Sequence, residues 1–324
     1  MNKLGPEEVK QLHALPVMEC IKFWDECEKV GRADGKLNQV VRSLVLVDLA
    51  YLLIRVCGRI DLLPCIDRPG FVDNQFFWDR IREVEAEPNG HCDLWAREHG
   101  KSSILNFGLT LQNVLRDPEV TIGIFSFSRP QAKAFLRALM REIENNEALH
   151  AAFPDVLVGR DVRKFQKFSE DDGILVLRKS NPAEATIEAY GLEALPVGRH
   201  FKVLVYDDIV VPASVTTTEQ VAKTLESLQH SYNLGSAGGV RRMIGTRYSY
   251  ADAYGTVIKN GTFKPRIYPG KKGGTEEGES ILWDEETHRK KRAEQGEWIY
   301  GSQILLDPRA DAQQGFKREW LHYY

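Results

Sequence analysis

The sequence predicts an α/β fold: a mostly parallel sheet with helices on both faces, preceded by an N-terminal helical region. Three observations carry this. From residue 91 onward, apolar runs of strand length alternate with runs at helical spacing, the rhythm of a βαβ chain. One strand-to-helix junction ends Gly100-Lys101-Ser102, as a phosphate-binding loop ends. A later apolar run, Val203 to Tyr206, finishes on two carboxylates, Asp207 and Asp208. Ligands of open α/β sheets bind at that end of the strands.

Residues 1–66 read as helical. Pro16 suits a first helical position, followed by Cys20, Ile21, Trp24 and Cys27 on one side. Gly31 to Gly35 breaks the pattern and Leu37 to Val56 resumes it. Within this, Leu44 to Cys57 is strongly apolar but carries Asp48 and Arg55, and it is too short to span a bilayer; it reads as a buried helix. Arg68-Pro69-Gly70 is a turn, and Phe71 to Val84 an amphipathic helix bearing Phe76, Phe77, Trp78 and Ile81. Cys92 to Ala96 enters the lysine loop as a strand, and Ser103 to Leu115 leaves it as a helix. Val120 to Phe127 is a buried strand and Arg129 to Asn145 a helix. Gly173 to Leu177 and Thr186 to Tyr190 form a strand pair, and Phe201 to Tyr206 a further strand. Thr218 to Leu234 is helical, Val240 to Thr246 a short strand, and Ala251 to Lys259 helical. Lys271 to Gly278 is a mobile loop, and Asp284 to Leu305 is mostly helix. The expected division is a helical accessory or lid region over 1–66, a nucleotide-binding domain over 67–300, and a linker over 301–324.

With 324 residues the chain is long enough to bury a substantial core. Its net charge of −3 gives no overall basic field for nucleic acid, so any such contact must use local patches. Those are Arg241-Arg242, Lys264 to Lys272, and His288 to Arg292, each more simply a solvated face. The five cysteines form no C-x-x-C pair and no zinc spacing. Their odd number, without a signal peptide, points to a reducing cytosol.

The chemistry follows from residue type and place. The loop Arg97, Glu98, His99, Gly100, Lys101, Ser102, Ser103 offers backbone N–H groups at a helix N-terminus, where phosphate oxygens bind. Lys101 reaches the outer phosphates and the Ser102 hydroxyl holds Mg²⁺. Trp95 stands where the standard pattern has its first glycine. Asp207 fits a metal-positioning role and Asp208 that of orienting or deprotonating the attacking water, the alternative being a strand-end turn or helix cap. Gly245-Thr246-Arg247 ends the next strand, where a Thr senses the γ-phosphate and an Arg relays its state. Arg97, four residues before Lys101, can stabilise spreading phosphate charge. Arg199 is a further candidate, otherwise a surface arginine. His99 has two readings, a pH-sensitive contact or, more simply, a tolerated loop residue that offers its backbone N–H. Phe76, Phe77 and Trp78 are core residues, one of which could stack on a base.

Taken together, these residues resemble the large terminase subunit of tailed bacteriophages, the ATPase that drives DNA into the procapsid. Arg97 to Ser102 is similar to that family's variant loop, which keeps the arginine and often lacks the first glycine. Ser126 to Ala132, Gly191 to Asp208, Ile244 to Tyr248 with Asp252, and Gln303 to Pro308 followed by Phe316 to Leu321 resemble its later segments in order. The resemblance implies a P-loop NTPase fold of RecA/ASCE type, an ATP and Mg²⁺ requirement, and hydrolysis coupled to movement of double-stranded DNA. It implies a homo-oligomeric ring, a pentamer, on the portal protein, a small terminase subunit as partner, and a place in the host cytoplasm without a membrane. Arg199 is then the arginine given to the neighbouring subunit. A nuclease domain is expected to lie outside these residues, so no nuclease activity is expected from them. Two other readings stay open: a helicase-like nucleic-acid-dependent ATPase, for which about 75 residues after Arg247 leave little room, and a nucleotide-gated assembly module with little turnover.

Overall fold

The computed structural model describes residues 5–63, 69–72, 75–157 and 167–308. Eight strands form one sheet: β1 (His91–Trp95), β2 (Ile122–Ser126), β3 (Phe168–Ser169), β4 (Gly173–Ile174), β5 (Ile187–Gly191), β6 (Phe201–Asp207), β7 (Gly235–Gly245) and β8 (Lys264–Tyr268). Their order is β3-β4-β5-β2-β6-β7-β1-β8. All pairings from β5 to β8 are parallel; β3 and β4 are joined antiparallel at one edge. The acid-bearing strand β6 and the loop strand β1 are therefore separated by one strand, β7, which carries Gly245.

Every residue of β1 and β2 is buried, as in a sheet covered on both faces. Successive residues serve two cores. Trp95, Ile122, Ile124, Val203 and Val205 face one; Leu94, Phe125, Leu204 and Tyr206 face the other. The first core holds α1 (Pro6–Ala14), α2 (Val17–Ala33), α3 (Leu37–Val47), α4 (Gln75–Ala86), α5 (Leu109–Arg116), α6 (Arg129–Asn145) and α7 (Glu147–Ala152). The second holds α8 (Thr218–Ser231) and α9 (Ala253–Lys259). The last helix, α10 (Glu285–Gln303), is kinked at Gly296, whose φ is 76°. No helix among the described residues is long and apolar enough to cross a membrane.

Several expectations need correction. Pro16 caps α2 rather than opening it; Pro6 is the proline at a first helical position. The helix expected from Phe71 spans Gln75–Ala86, and Phe71 instead bridges to Trp283. Strand β7 begins at Gly235, five residues before the expected Val240, through a glycine-rich stretch with little β propensity. Strand β8 lies inside the supposed basic patch. Its Arg266 is buried and paired with Asp93, its register partner on β1, at 3.0 Å; its Pro265 is tolerated because β8 is an edge strand. Arg242 and His288, from the other two patches, are also buried. The supposed mobile loop is tied down: buried Lys271 donates to Glu276 O at 2.9 Å and to Glu285 Oε2 at 2.7 Å. Residues 309–324 of the expected linker, with Phe316 to Leu321, lie outside the described residues, as do Cys65 and Arg68.

Candidate nucleotide-binding site

Strand β1 delivers the loop, and local chemistry shapes it. Trp95 stays in the strand, fully buried, its Nε1 donating to Asp93 Oδ1 at 3.1 Å and its ring against Phe76 and Tyr268. The bend thus begins after Trp95, so no glycine is required there. Glu98 and Gly100 take left-handed backbone, φ 64° and 75°. A Cβ on Gly100 would stand 2.9 Å from the Phe77 ring, so glycine is demanded both by conformation and by space.

His99 is no tolerated passenger. It is fully buried, edge-on to Phe76 and Trp283 at centroid distances of 5.5 and 4.9 Å, with Nδ1 bonded to Arg97 O at 2.9 Å. Its own N–H donates to Ala96 O, so it anchors the loop instead of offering an amide to a ligand. Burial pushes its pKa down to about 4. The folded state therefore holds His99 neutral, while the unfolded chain takes up a proton near pH 6.5. Stability is lost as pH falls from about 6.5 toward about 4, at up to about 1.4 kcal/mol per pH unit. Urea melts at several pH values should show a shallower acid loss for His99→Phe; equal slopes would refute this assignment.

Beyond Gly100 the chain winds into a π-helical segment, Ser102–Gly108, that continues as α5. Its first turn leaves N–H groups without intrahelical carbonyls, the usual anion-binding end. Ser102 and Asn106 lie four residues apart on one face and both meet Asp207. Asn106 Nδ2 donates to Asp207 Oδ2 at 2.7 Å. Asp207 is completely buried, and its pKa is raised by burial and then by Asp208, with Asn106, Lys101 and the Ser102 hydroxyl opposing. Lys101 is itself buried. Asp208 has left-handed backbone, φ 47°, and its N–H donates to Ile244 O at 3.0 Å. Asp207 Oδ1 and Asp208 Oδ1 are buried with no hydrogen-bond partner. Two orphaned carboxylate oxygens and a hydroxyl are hard oxygen donors that suit Mg²⁺. No group of three or more His, Cys, Asp or Glu among the described residues is placed to hold a metal.

The other expected residues fall as follows. Arg97 is exposed, its Nη1 donating to Gln303 Oε1 at 2.8 Å. Glu98 pairs with Lys291 of α10 at 2.6 Å. Thr246 is buried at the end of β7 beside the acids' strand. Gly245 leaves room for the Tyr254 hydroxyl, which would stand 2.1 Å from a Cβ. Arg247 turns toward the following loop, its guanidinium 5.3 Å from the Tyr250 ring centroid. Arg199 is not brought to the loop: it precedes β6, at the opposite end of that strand from Asp207, and binds Ala183 O at 2.7 Å and Glu188 at 3.4 Å. Phe76, Phe77 and Trp78 are all buried.

Sequence reasoning missed one wall. A cavity of about 360 Å³ lies against Gly100, Lys101, Ser102 and Ser103, and its far side is Arg59, Asp61, Leu62, Phe71 and Phe77. Arg59 and Asp61 are joined by two 2.8 Å bonds. Asn106 was legible in principle from its spacing to Ser102; Arg59 and Asp61 were not, since nothing local ties them to the loop. Compared with known proteins, the sequence matches no family model and no curated relative significantly.

Proposed function

We propose that this chain is a Mg²⁺-dependent ATPase, the motor domain of a viral DNA-packaging terminase. One observation supports the ATPase reading above others: the lysine loop and the paired acids, a hundred residues apart in sequence, meet with Ser102, Asn106 and Lys101 around Asp207. Lys101 binds the outer phosphates. Arg97 offsets charge on the transferred phosphoryl group, and Asp208 orients water and accepts its proton. Ser102 and Asp207 would hold Mg²⁺, which would supply neutralisation of phosphate charge. The resemblance extends this to coupling through Gly245, Thr246 and Arg247, and to a pentameric ring with portal, small subunit and double-stranded DNA in the host cytoplasm. Arg199 serves a neighbouring subunit only by leaving Glu188. The deciding test is steady-state ATP hydrolysis with and without double-stranded DNA. Stimulation by DNA supports the motor; turnover indifferent to every DNA added leaves an ATPase and removes the motor.

The cavity beside the loop takes the nucleoside. Asp61 is an acceptor for sugar hydroxyls, and Leu62 and Phe77 offer apolar surface. Asp61→Asn and Arg59→Ala should raise KM for ATP about tenfold with kcat unchanged, the signature of lost uniform binding. Inhibition by tripolyphosphate, which has no nucleoside, should stay as in wild type. An equal loss of tripolyphosphate binding would place these residues on the phosphates instead.

A further inference from the structure

Arg97 is exposed, so packing does not fix its guanidinium. What fixes it comes from a residue 206 positions later. Gln303 receives two bonds from Arg97: Nη1 to its Oε1 at 2.8 Å and the backbone N–H to its carbonyl at 3.0 Å. Gln303 is buried and is the last residue of α10. Its neighbourhood is rigidly held, since Gly270 N–H donates to Ile304 O at 2.7 Å and Asp307 N–H to Gly301 O at 2.9 Å. Tyr248, also buried, has its phenol pKa raised chiefly by burial, with nearby Arg97 opposing the shift and the Asp208 carboxylate adding to it. The same end of α10 reaches the loop after β7, where Tyr250 Oη donates to Asp307 Oδ1.

We infer that Gln303 is a positioning residue for hydrolysis: acting only through Arg97, it holds the guanidinium on its own amide within the lysine loop, beside Tyr248. The inference rests on the phosphate-loop reading. The physical need is clear. A free arginine side chain has many rotamers to lose on being fixed. A guanidinium already aimed where phosphate charge develops needs no reorganisation during the reaction. A buried acceptor on a helix end supplies that aim where loop backbone alone does not.

The test is a double-mutant cycle on the whole chain. Gln303→Met keeps side-chain length and the backbone bond but removes the acceptor. It should lower kcat about tenfold, leaving KM for ATP and Tm near wild type. Gln303→Glu keeps an acceptor oxygen and should restore kcat to within a few-fold of wild type. In an Arg97→Ala background, Gln303→Met should cause no further loss. A wild-type or raised kcat in Gln303→Met, or additive losses in the cycle, overturns the inference. Turnover that survives Lys101→Ala sinks the phosphate-loop reading instead. Independently of turnover, rotation of the ¹⁵N-labelled Arg97 guanidinium should be slower in wild type than in Gln303→Met. Equal rotation in the two overturns the inference whatever the activity.

Discussion

Lys101→Ala is expected to abolish ATP binding and turnover, and Asp208→Asn to cut turnover severely while ATP stays bound. The two changes remove different things. Lys101 is buried beside two buried or half-buried acids, and its charge already opposes the upward shift at Asp207. Without it the site presents two carboxylates to a polyanion, so affinity falls along with rate. In the proposed reaction Asp208 accepts a proton at one oxygen, and asparagine keeps the shape without the charge. The expected loss in kcat is on the order of a hundred- to ten-thousandfold, the range for a general base. Asparagine is the right replacement because residue 208 has φ 47°, a conformation that Asn and Asp adopt most readily among residues with a side chain. Alanine would mix lost chemistry with backbone strain. The same backbone favours the shorter acid over glutamate, which explains aspartate here without invoking a site built to be slow. Nucleotide binding by equilibrium titration, beside steady-state turnover, checks both arms. Lys101→Ala with turnover within twofold of wild type ends the ATPase proposal.

What the sequence made legible was what is local. The central strands β1, β2 and β6 were found to within one or two residues, because burial writes an apolar-leaning run into each, despite Asp93 in β1 and Lys202 in β6. Helix α6 was found to the residue: Ser128 and Gln131 mark its start, and Ala132, Leu136, Leu139 and Ile143 mark its buried face. The loop and the acid pair were legible as short motifs. Strand β8 was not, because its buried position is an arginine whose partner, Asp93, is more than a hundred and fifty residues away. Arg242 hid in the same way: it lies buried with Nε on Asn89 Oδ1 at 2.9 Å, so the run Arg241-Arg242 looked like surface charge. His99 was misread because a histidine in a loop motif looks solvent-facing until Phe76 and Trp283 are folded around it. Asp61 carried no signal, and Gln303 entered only as the first residue of a resembling segment, since the roles proposed for both depend on contacts made across the folded distance.

Asp48→Ala is expected to cost about 3 kcal/mol of folding stability. Asp48 ends α3 and is completely buried. It accepts from Trp24 Nε1 at 3.0 Å, Tyr51 N–H at 3.1 Å and Arg82 Nη1 at 2.8 Å. Arg82 also binds Glu85 at 3.0 Å, and its guanidinium lies 4.5 Å from the Trp78 ring centroid. His13 reaches Glu85 at 3.1 Å. One buried cluster thus joins α1, α2 and α3 to α4, and α4 supplies the Phe76 and Phe77 rings beneath the lysine loop. The substitution orphans two buried donors but leaves Arg82 with Glu85, which keeps the loss below that of a wholly unpaired buried charge. The pH dependence separates this account from simple cavity formation. Glu85 has its pKa raised, by burial first and then by the charge of Asp48. A raised carboxyl pKa contributes stability that is full below the unfolded value of about 4.5 and is lost as pH rises through the folded value of about 7. Removing Asp48 removes part of that loss. The cost of Asp48→Ala should therefore shrink as pH rises from about 4.5 to about 7, measured by urea melts of the two proteins side by side. A cost below about 1 kcal/mol, the size of one ordinary hydrogen bond, or a cost that grows with pH would mean that the cluster does not tie these helices to the core beneath the lysine loop.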